Sequence, residues 1–167
     1  MKIGILSDSH DNVWRLKDAL AYLQTTQLVL HCGDLISPFM VHRLAKGLPN
    51  IPVHLVWGNN DGDRLMVSKM AQMYSGFTLH GEFMELEVDG LRIAMNHYPL
   101  IAQSLALSGQ YDLVCYGHDH TAHQEHVGET ILLNPGEMMG MNGCSTLAIF
   151  DTETRRVEPI EIWKDPN

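Results

Sequence analysis

The sequence predicts a mixed α/β domain in which two β-sheets pack between helices. Two features predict it. Short apolar runs alternate with amphipathic segments in the first half of the chain, and apolar runs separated by turn signals make up the second half. A length of 167 residues is typical of one domain, and no repeat, linker or low-complexity tract divides it. We therefore expect a single domain over residues 1–167.

Three strands, each followed by a helix, are expected in the first half. Asn12 can cap the first helix, whose apolar face carries Val13, Leu16, Leu20 and Leu23. Because strands that alternate with helices are joined by right-handed crossovers, these strands should lie parallel. The strands are expected at residues 3–7, 28–32 and 53–57.

The next two helices carry their own start signals. Ser37-Pro38 combines a cap residue with a first-turn proline and is typical of a helix start, here of a helix to about Lys46. The helix after the third strand begins at either Asp61 or Asp63 and continues through Met73.

A hairpin signal opens the second half. Asp89-Gly90 separates two apolar runs, and this dipeptide favours a two-residue turn. Pro99 then begins a helix to about Ser108. The strands on either side of this helix are expected at 83–88, 91–95 and 112–116. The four last strands, expected at 121–127, 130–133, 145–150 and 157–163, form an antiparallel end of the chain.

Composition excludes several classes of function. The net charge of −9 argues against broad, charge-driven binding to nucleic acid or anionic membranes, although bound cations could still attract a phosphate. No apolar run approaches the ~20 residues of a membrane helix. Cys32, Cys115 and Cys144 show no CxxC spacing. The chain enters an apolar strand at Ile3 without the pattern of a signal peptide, so we expect a cytoplasmic protein.

Metal-binding side chains stand in five short clusters, and each cluster follows an apolar run. Taken alone, a D-x-H pair or a Gly-Asn turn is a common feature of loops; their joint occurrence at five strand ends is not. Strand ends far apart in sequence can converge only at one edge of a folded sheet. Carboxylate, amide and imidazole ligands without thiolates suit Mn, Fe, Zn or Ni rather than a structural zinc site. The seven candidate ligands are Asp8, His10, Asp34, Asn59, His97, His118 and His120.

The order of these clusters resembles the calcineurin-like metallophosphoesterase superfamily over nearly the whole chain. The matching motifs are D-x-H at 8–10, G-D at 33–34, G-N at 58–59, His97 and G-H-x-H at 117–120. The short length and the N-P-G segment at 134–136 are most similar to the YfcE-like group of small phosphodiesterases. This resemblance implies a four-layer α/β/β/α sandwich of two mixed sheets. It also implies two metal ions, one bound by Asp8, His10, Asp34 and His120, the other by Asp34, Asn59, His97 and His118, with Asp34 bridging.

The expected reaction is hydrolysis of a phosphodiester bond by in-line attack of a metal-bridging hydroxide. Manganese is the first expectation for both ions, with Fe, Ni, Co or Zn as alternatives. A small phosphoester is the expected substrate. Two other functions stay open. One is a phosphomonoesterase acting on a nucleotide, a sugar phosphate or a phosphoprotein. The other is a non-catalytic, protein-binding scaffold, since the small subunit of the retromer coat is similar to these proteins.

Three further residues are candidates for roles at the site. Asn60 stands where many members of the superfamily have a histidine; it can donate a hydrogen bond to a phosphate but no proton, so activity should be modest and favour activated or cyclic diesters. Asp61 either orients a ligand histidine or caps the following helix. His123 could reach a substrate. The Met-rich segment 138–141 could line a pocket, contact a second copy in a homodimer, or simply pack in the core or in a loop.

Overall fold

The strands form two mixed sheets, as a computed structural model of residues 1–166 shows. Within these residues the chain contains four helices and eleven strands. In chain order they are β1 (Lys2–Leu6), α1 (Val13–Leu23), β2 (Leu28–His31), α2 (Pro38–Gly47), β3 (Val53–Leu55), α3 (Arg64–Gln72), β4 (Phe77–Leu79), β5 (Phe83–Val88), β6 (Leu91–Asn96), α4 (Pro99–Leu107), β7 (Leu113–Cys115), β8 (His123–Val127), β9 (Thr130–Asn134), β10 (Cys144–Asp151) and β11 (Arg156–Lys164).

The two sheets lie face to face between two layers of helices. The six-stranded sheet has the order β11-β10-β1-β2-β3-β4, and the five-stranded sheet has the order β5-β6-β7-β9-β8. Apolar side chains of both sheets, such as Ile3, Ile93 and Phe150, are fully buried in one cluster between them. A second cluster joins the six-stranded sheet to α1, α2 and α3, and a third joins the five-stranded sheet to α4. The expected four-layer α/β/β/α sandwich is therefore confirmed.

The helices begin where capping chemistry favours it. The Asn12 side chain accepts a hydrogen bond from the Arg15 amide at 3.1 Å, and Pro38 occupies the first turn of α2. The side chain of Asp63 accepts from the Met66 amide at 3.2 Å, so Asp63 and not Asp61 starts α3. Among the described residues, no helix is both long and apolar enough to cross a bilayer.

Two expectations about the strands were wrong. The first is that the sequence predicted no strand at β4, which pairs in parallel with β3. With three residues β4 is too short to show a period-two pattern. The second is that the last four strands do not form one antiparallel unit, because β9 pairs in parallel with β7. All five residues of β9 are buried, which is typical of a strand inside a sheet.

Candidate metal centre

The seven candidate ligands follow the carboxyl ends of five strands. β1, β2 and β3 are parallel neighbours in one sheet, and β6 and β7 are parallel neighbours in the other. Loops leave these strands at the same edge of the sandwich. The Gly117 amide donates to the His97 carbonyl at 3.0 Å, and the Asp8 amide donates to the Gly33 carbonyl at 3.1 Å. These bonds tie the separate loops into one framework.

One group of ligand atoms surrounds Asp8. Its Oδ1 lies 3.3 Å from His120 Nε2 and 3.7 Å from His10 Nε2. Asp8 is fully buried, yet neither its Oδ1 nor His10 Nε2 has a hydrogen-bond partner among the described residues. Buried polar atoms are rarely left unpaired because their desolvation is costly. A cation between these atoms would satisfy them, so the residues present fit a metal ion.

A second group surrounds Asp34. Its Oδ2 lies 3.5 Å from His10 Nε2 and 3.6 Å from His97 Nε2, so one carboxylate oxygen faces histidines on both sides. Asn59 Oδ1 lies 3.1 Å from His97 Nε2 and 2.7 Å from His118 Nδ1. Thus all seven candidate ligands come together. Asn59 and His118 are exposed, so the cluster opens to solvent on this side.

The charge state of Asp34 suits a cation. Burial raises the pKa of its carboxyl, but the neighbouring His97 imidazole and the donors of Asn60 outweigh burial, and the net effect lowers the pKa. The Asn60 amide donates to Asp34 Oδ1 at 2.8 Å and the Asn60 side chain donates to Oδ2 at 2.7 Å. Asp34 is therefore ionised at neutral pH and fixed in orientation.

Glu137 is a residue of the site that the sequence analysis missed. Its Oε2 lies 2.5 Å from His120 Nδ1, and its Oε1 accepts from the Asn142 amide at 2.5 Å. Glu137 is 2% exposed. A carboxylate on Nδ1 leaves the Nε2 lone pair free for a metal and orients the ring. No local signal in the sequence indicated this role, because Glu137 reaches this edge only through the parallel pairing of β9 with β7.

Other contacts orient His97 and the loop that carries His118. His97 Nδ1 lies 2.7 Å from the Cys32 carbonyl oxygen, which directs Nε2 toward Asp34. The ring of Tyr98 lies edge-on to His97 and His118, with centroid distances of 5.3 and 5.2 Å. The Asn134 side chain donates to the Gly117 carbonyl at 3.1 Å and to Asp119 Oδ1 at 2.6 Å, so Asn134 holds the loop that carries His118 and His120.

The backbone at the centre is strained. Five of the seven candidate ligands have left-handed backbone conformations, which non-glycine residues rarely adopt. Such residues cluster at functional sites, where the surrounding structure enforces them. Their φ values are 51° for Asp8, 41° for His10, 56° for Asp34, 78° for His118 and 58° for His120.

Two motif glycines are required by close approach. A Cβ atom on Gly117 would lie 1.9 Å from Ser7 Oγ and 2.6 Å from Asp8 Oδ2. A Cβ atom on Gly58 would lie 2.1 Å from Asp34 Oδ1. Any larger residue would therefore displace a ligand carboxylate, which gives the G-H and G-N motifs a physical reason.

Asp61 has neither of its two expected roles. Its carboxylate accepts hydrogen bonds from three backbone amides, those of Gly58 at 2.7 Å, Ile36 at 2.8 Å and Asp34 at 3.2 Å. Within the described residues it makes no hydrogen bond to a ligand histidine, and Asp63 is the cap of α3. Asp61 instead joins the loops after β2 and β3. Burial raises the pKa of Asp61 against the opposing effect of these amides.

His123 lies apart from the hydrogen bonds of the centre. It is an exposed residue of β8, and its Nε2 lies 3.5 Å from Glu125 Oε1. It borders a depression formed by β8, β10 and β11 that also includes Pro159. Among the described contacts, none joins His123 to a candidate ligand, and its expected contact with substrate stays a prediction.

Similarity to known proteins identifies the family of this chain. A family model described as the calcineurin-like phosphoesterase superfamily domain matches residues 1–155. Phosphodiesterase MJ0936 of Methanocaldococcus jannaschii is 32% identical over 96% of this chain and 98% of its own length. The solved structure of a novel archaeal phosphodiesterase, also 32% identical, superposes with a TM-score of 0.89 over 96% of this chain and 99% of that one.

A more distant structure shows the same fold. A Vps29 variant from Entamoeba histolytica superposes with a TM-score of 0.67 at 17% identity, over 96% of this chain and 99% of that one. The resemblance seen in the motifs is therefore confirmed by sequence and by structure. This chain belongs to the calcineurin-like phosphoesterase superfamily.

Proposed function

We propose that the protein is a metal-dependent phosphodiesterase that uses two divalent ions and in-line attack by a metal-bridging hydroxide. The observation that carries this proposal is the position of Asp34 Oδ2, which lies 3.5 Å from His10 Nε2 and 3.6 Å from His97 Nε2. One oxygen between two histidines suits a carboxylate that bridges two cations. The 32% identity to a phosphodiesterase supports the same reaction class.

Each ion has four candidate ligands. Asp8, His10, Asp34 and His120 would hold the first ion, and Asp34, Asn59, His97 and His118 the second. When bound, such ions lower the pKa of a shared water and offset charge on the phosphoryl oxygens. Manganese remains the first candidate, with Fe, Ni, Co or Zn as alternatives, and metal availability rather than raw affinity often decides such a site.

The chain's own residues hold this centre in shape before a substrate arrives. Asn60 fixes both oxygens of Asp34, and Glu137 fixes His120. The exposed Asn59, Asn60 and His118 form the side that a phosphoester can approach. With Asn60 in place of a histidine, this side offers no proton for a leaving group at neutral pH. Diesters with good leaving groups should therefore be the better substrates.

Two alternatives remain for the test. A phosphomonoesterase would need the same ligands and would differ only in its preferred substrate. A scaffold is suggested by the shared fold of the Vps29 structure. The complete ligand set argues for catalysis, since a scaffold needs no buried unpaired Asp8 oxygen aimed at a cation. We further propose that the protein is cytoplasmic and that it forms a homodimer. Sedimentation velocity would test the dimer, and fractionation of cells that express the protein would test the compartment.

The test compares hydrolysis of bis-p-nitrophenyl phosphate with that of p-nitrophenyl phosphate by metal-stripped protein. Mn, Ni, Zn or Mg is added back separately. Asn59→Ala removes a candidate ligand, and Asn50→Ala is the matched control because Asn50 is an exposed asparagine outside the centre. We expect metal-dependent release from the diester that Asn59→Ala loses and Asn50→Ala keeps. Faster release from the monoester would favour the monoesterase. No release with any metal, despite tight binding of two ions, would favour the scaffold.

A further inference from the structure

A groove lies between α1 and α2, beside the metal centre. Its volume is about 960 Å³, within the upper range of ligand-binding clefts. Both helices begin directly after loops that carry candidate ligands, α1 after His10 and α2 after Asp34. The Ser37 hydroxyl donates to Asp11 Oδ1 at 2.6 Å where the two loops meet, and both residues line the groove. The groove is thus continuous with the edge that holds the centre.

Two aromatic side chains stand at the end of the groove nearest the centre. Trp14 is 75% exposed and Phe39 is 73% exposed. Neither has a ring contact or a cation–π contact among the described residues. Most large aromatic side chains bury more of their surface on folding. Two unpartnered rings at the starts of adjacent helices leave flat apolar surfaces facing a common space.

Three cations line the groove together with apolar residues of α1. Lys17, Arg43 and Lys46 are exposed and make no ion pair or side-chain hydrogen bond within the described residues. Phe39, Arg43 and Lys46 are spaced at i, i+4 and i+7, which places them along one face of α2. Asp11 is the one carboxylate lining the groove, and the Ser37 hydroxyl engages it. In a chain of net charge −9, this is a local basic surface.

We propose that this groove binds a short single-stranded oligonucleotide, and that the preferred diesters are internucleotide bonds. The inference rests on the proposed function for its catalytic meaning. Stacking on Trp14 and Phe39 would hold a base next to the scissile phosphate, and Lys17, Arg43 and Lys46 would contact the following phosphates. An apolar peptide would leave the three cations unused. The groove is short and local, so this binding differs from broad attraction to nucleic acid.

Binding is measured by the anisotropy of fluorescein-labelled hexathymidylate with metal-stripped protein in EDTA, so that no hydrolysis occurs. Phe39→Ala tests stacking, and Leu107→Ala is its control because Leu107 on α4 is 70% exposed outside the groove. Arg43→Gln and Lys46→Gln test the phosphate contacts, with Lys69→Gln on α3 as their control. An abasic hexamer of the same charge separates stacking from charge. Thermal melts verify that each variant is folded.

We expect Phe39→Ala to weaken binding of hexathymidylate at least about fivefold and to leave binding of the abasic hexamer unchanged. Arg43→Gln and Lys46→Gln should weaken binding of both. Each should also reduce the slope of log K against log salt by roughly 0.7, the value for one lost phosphate contact on a single strand. The Leu107 and Lys69 controls should bind like the unaltered protein.

Absence of binding, or equal binding by groove and control variants, would overturn the inference. So would a dimer that Phe39→Ala dissociates in sedimentation velocity, because the groove would then hold a second copy of the chain. These outcomes are independent of the proposed function. Oligonucleotide binding without any metal-dependent diester hydrolysis would refute the proposed phosphodiesterase activity but support the proposed binding groove. Diester hydrolysis without oligonucleotide binding would refute only the proposed groove.

Discussion

Replacing Glu137 by glutamine should loosen the metal centre while leaving the protein folded. The Glu137 carboxylate uses one oxygen for His120 Nδ1 and the other for the Asn142 amide, both at 2.5 Å. Glutamine has one oxygen and one amino group. If its oxygen faces His120, its NH2 group faces the Asn142 N–H. If it turns, its NH2 group faces Nδ1 and the proton of His120 must move to Nε2, the atom needed for a metal.

The expected loss follows from this geometry. One hydrogen bond to a charged group is worth about 1.5–3 kcal/mol, which corresponds to about 10- to 150-fold in a binding constant. This agrees with the usual effect of removing the partner of a ligating histidine. The assay is titration of metal-stripped protein with Mn2+ against a competing chelator, with circular dichroism to verify folding. The matched control is Glu129→Gln, since Glu129 is an exposed turn residue. Unchanged Mn2+ affinity in folded Glu137→Gln would refute the role given to this carboxylate.

Three other substitutions test separate parts of the structure. Gly117→Ala should lower the free energy of unfolding in urea by about 1–3 kcal/mol, because its Cβ would overlap Ser7 Oγ, whereas Gly62→Ala, with its nearest atom at 3.8 Å, should have little effect; equal losses would contradict the steric argument. Asn60→His should raise activity on esters with poor leaving groups by supplying a proton, and no gain in kcat/KM on such esters would count against this account. Burial and the adjacent His80 lower the pKa of His54 to about 4, so the folded state disfavours its charged form. Between this pKa and the ordinary value of about 6.5, only the unfolded state takes up the proton. The free energy of unfolding therefore has its full value above about pH 6.5 and decreases as pH falls toward 4. The free energies of unfolding in urea at pH 7.5 and at pH 5 should therefore differ less in His54→Gln than in the unaltered protein, by about 1 kcal/mol after allowance for solvent screening, while His126→Gln on the exposed β8 should match the unaltered protein.

The parts of the structure that could be predicted from the sequence are those that a strong local residue pattern determines. Strand ends followed by metal-binding side chains could be read from the pattern, because parallel strands deliver their carboxyl ends to one edge. The helix start at Ser37-Pro38 and the hairpin turn at Asp89-Gly90 could also be predicted from the sequence. In each case a few adjacent residues determine the local conformation.

Features that depend on contacts between residues distant in the sequence could not be predicted from it. Whether β9 pairs with β7 or β10 is decided by which sheet buries its two faces, and its residues are apolar in either case. From the sequence, Asp61 could either cap a helix or orient a ligand histidine, but the amides that it accepts from include those of Asp34 and Ile36, on another loop. Glu137 gave no pattern of its own, since its role appears only when His120, 17 positions earlier, is brought beside it.

The left-handed backbone of the ligand residues links the chemistry to the stability of the whole domain. Each such residue costs on the order of 1 kcal/mol. Five of them therefore consume roughly 5 kcal/mol, comparable to the lower end of the net stability of a small domain. Glycine or asparagine would relieve this backbone strain but would remove a candidate ligand at each of Asp8, His10, Asp34, His118 and His120. Stability and metal binding should therefore oppose each other at these five positions.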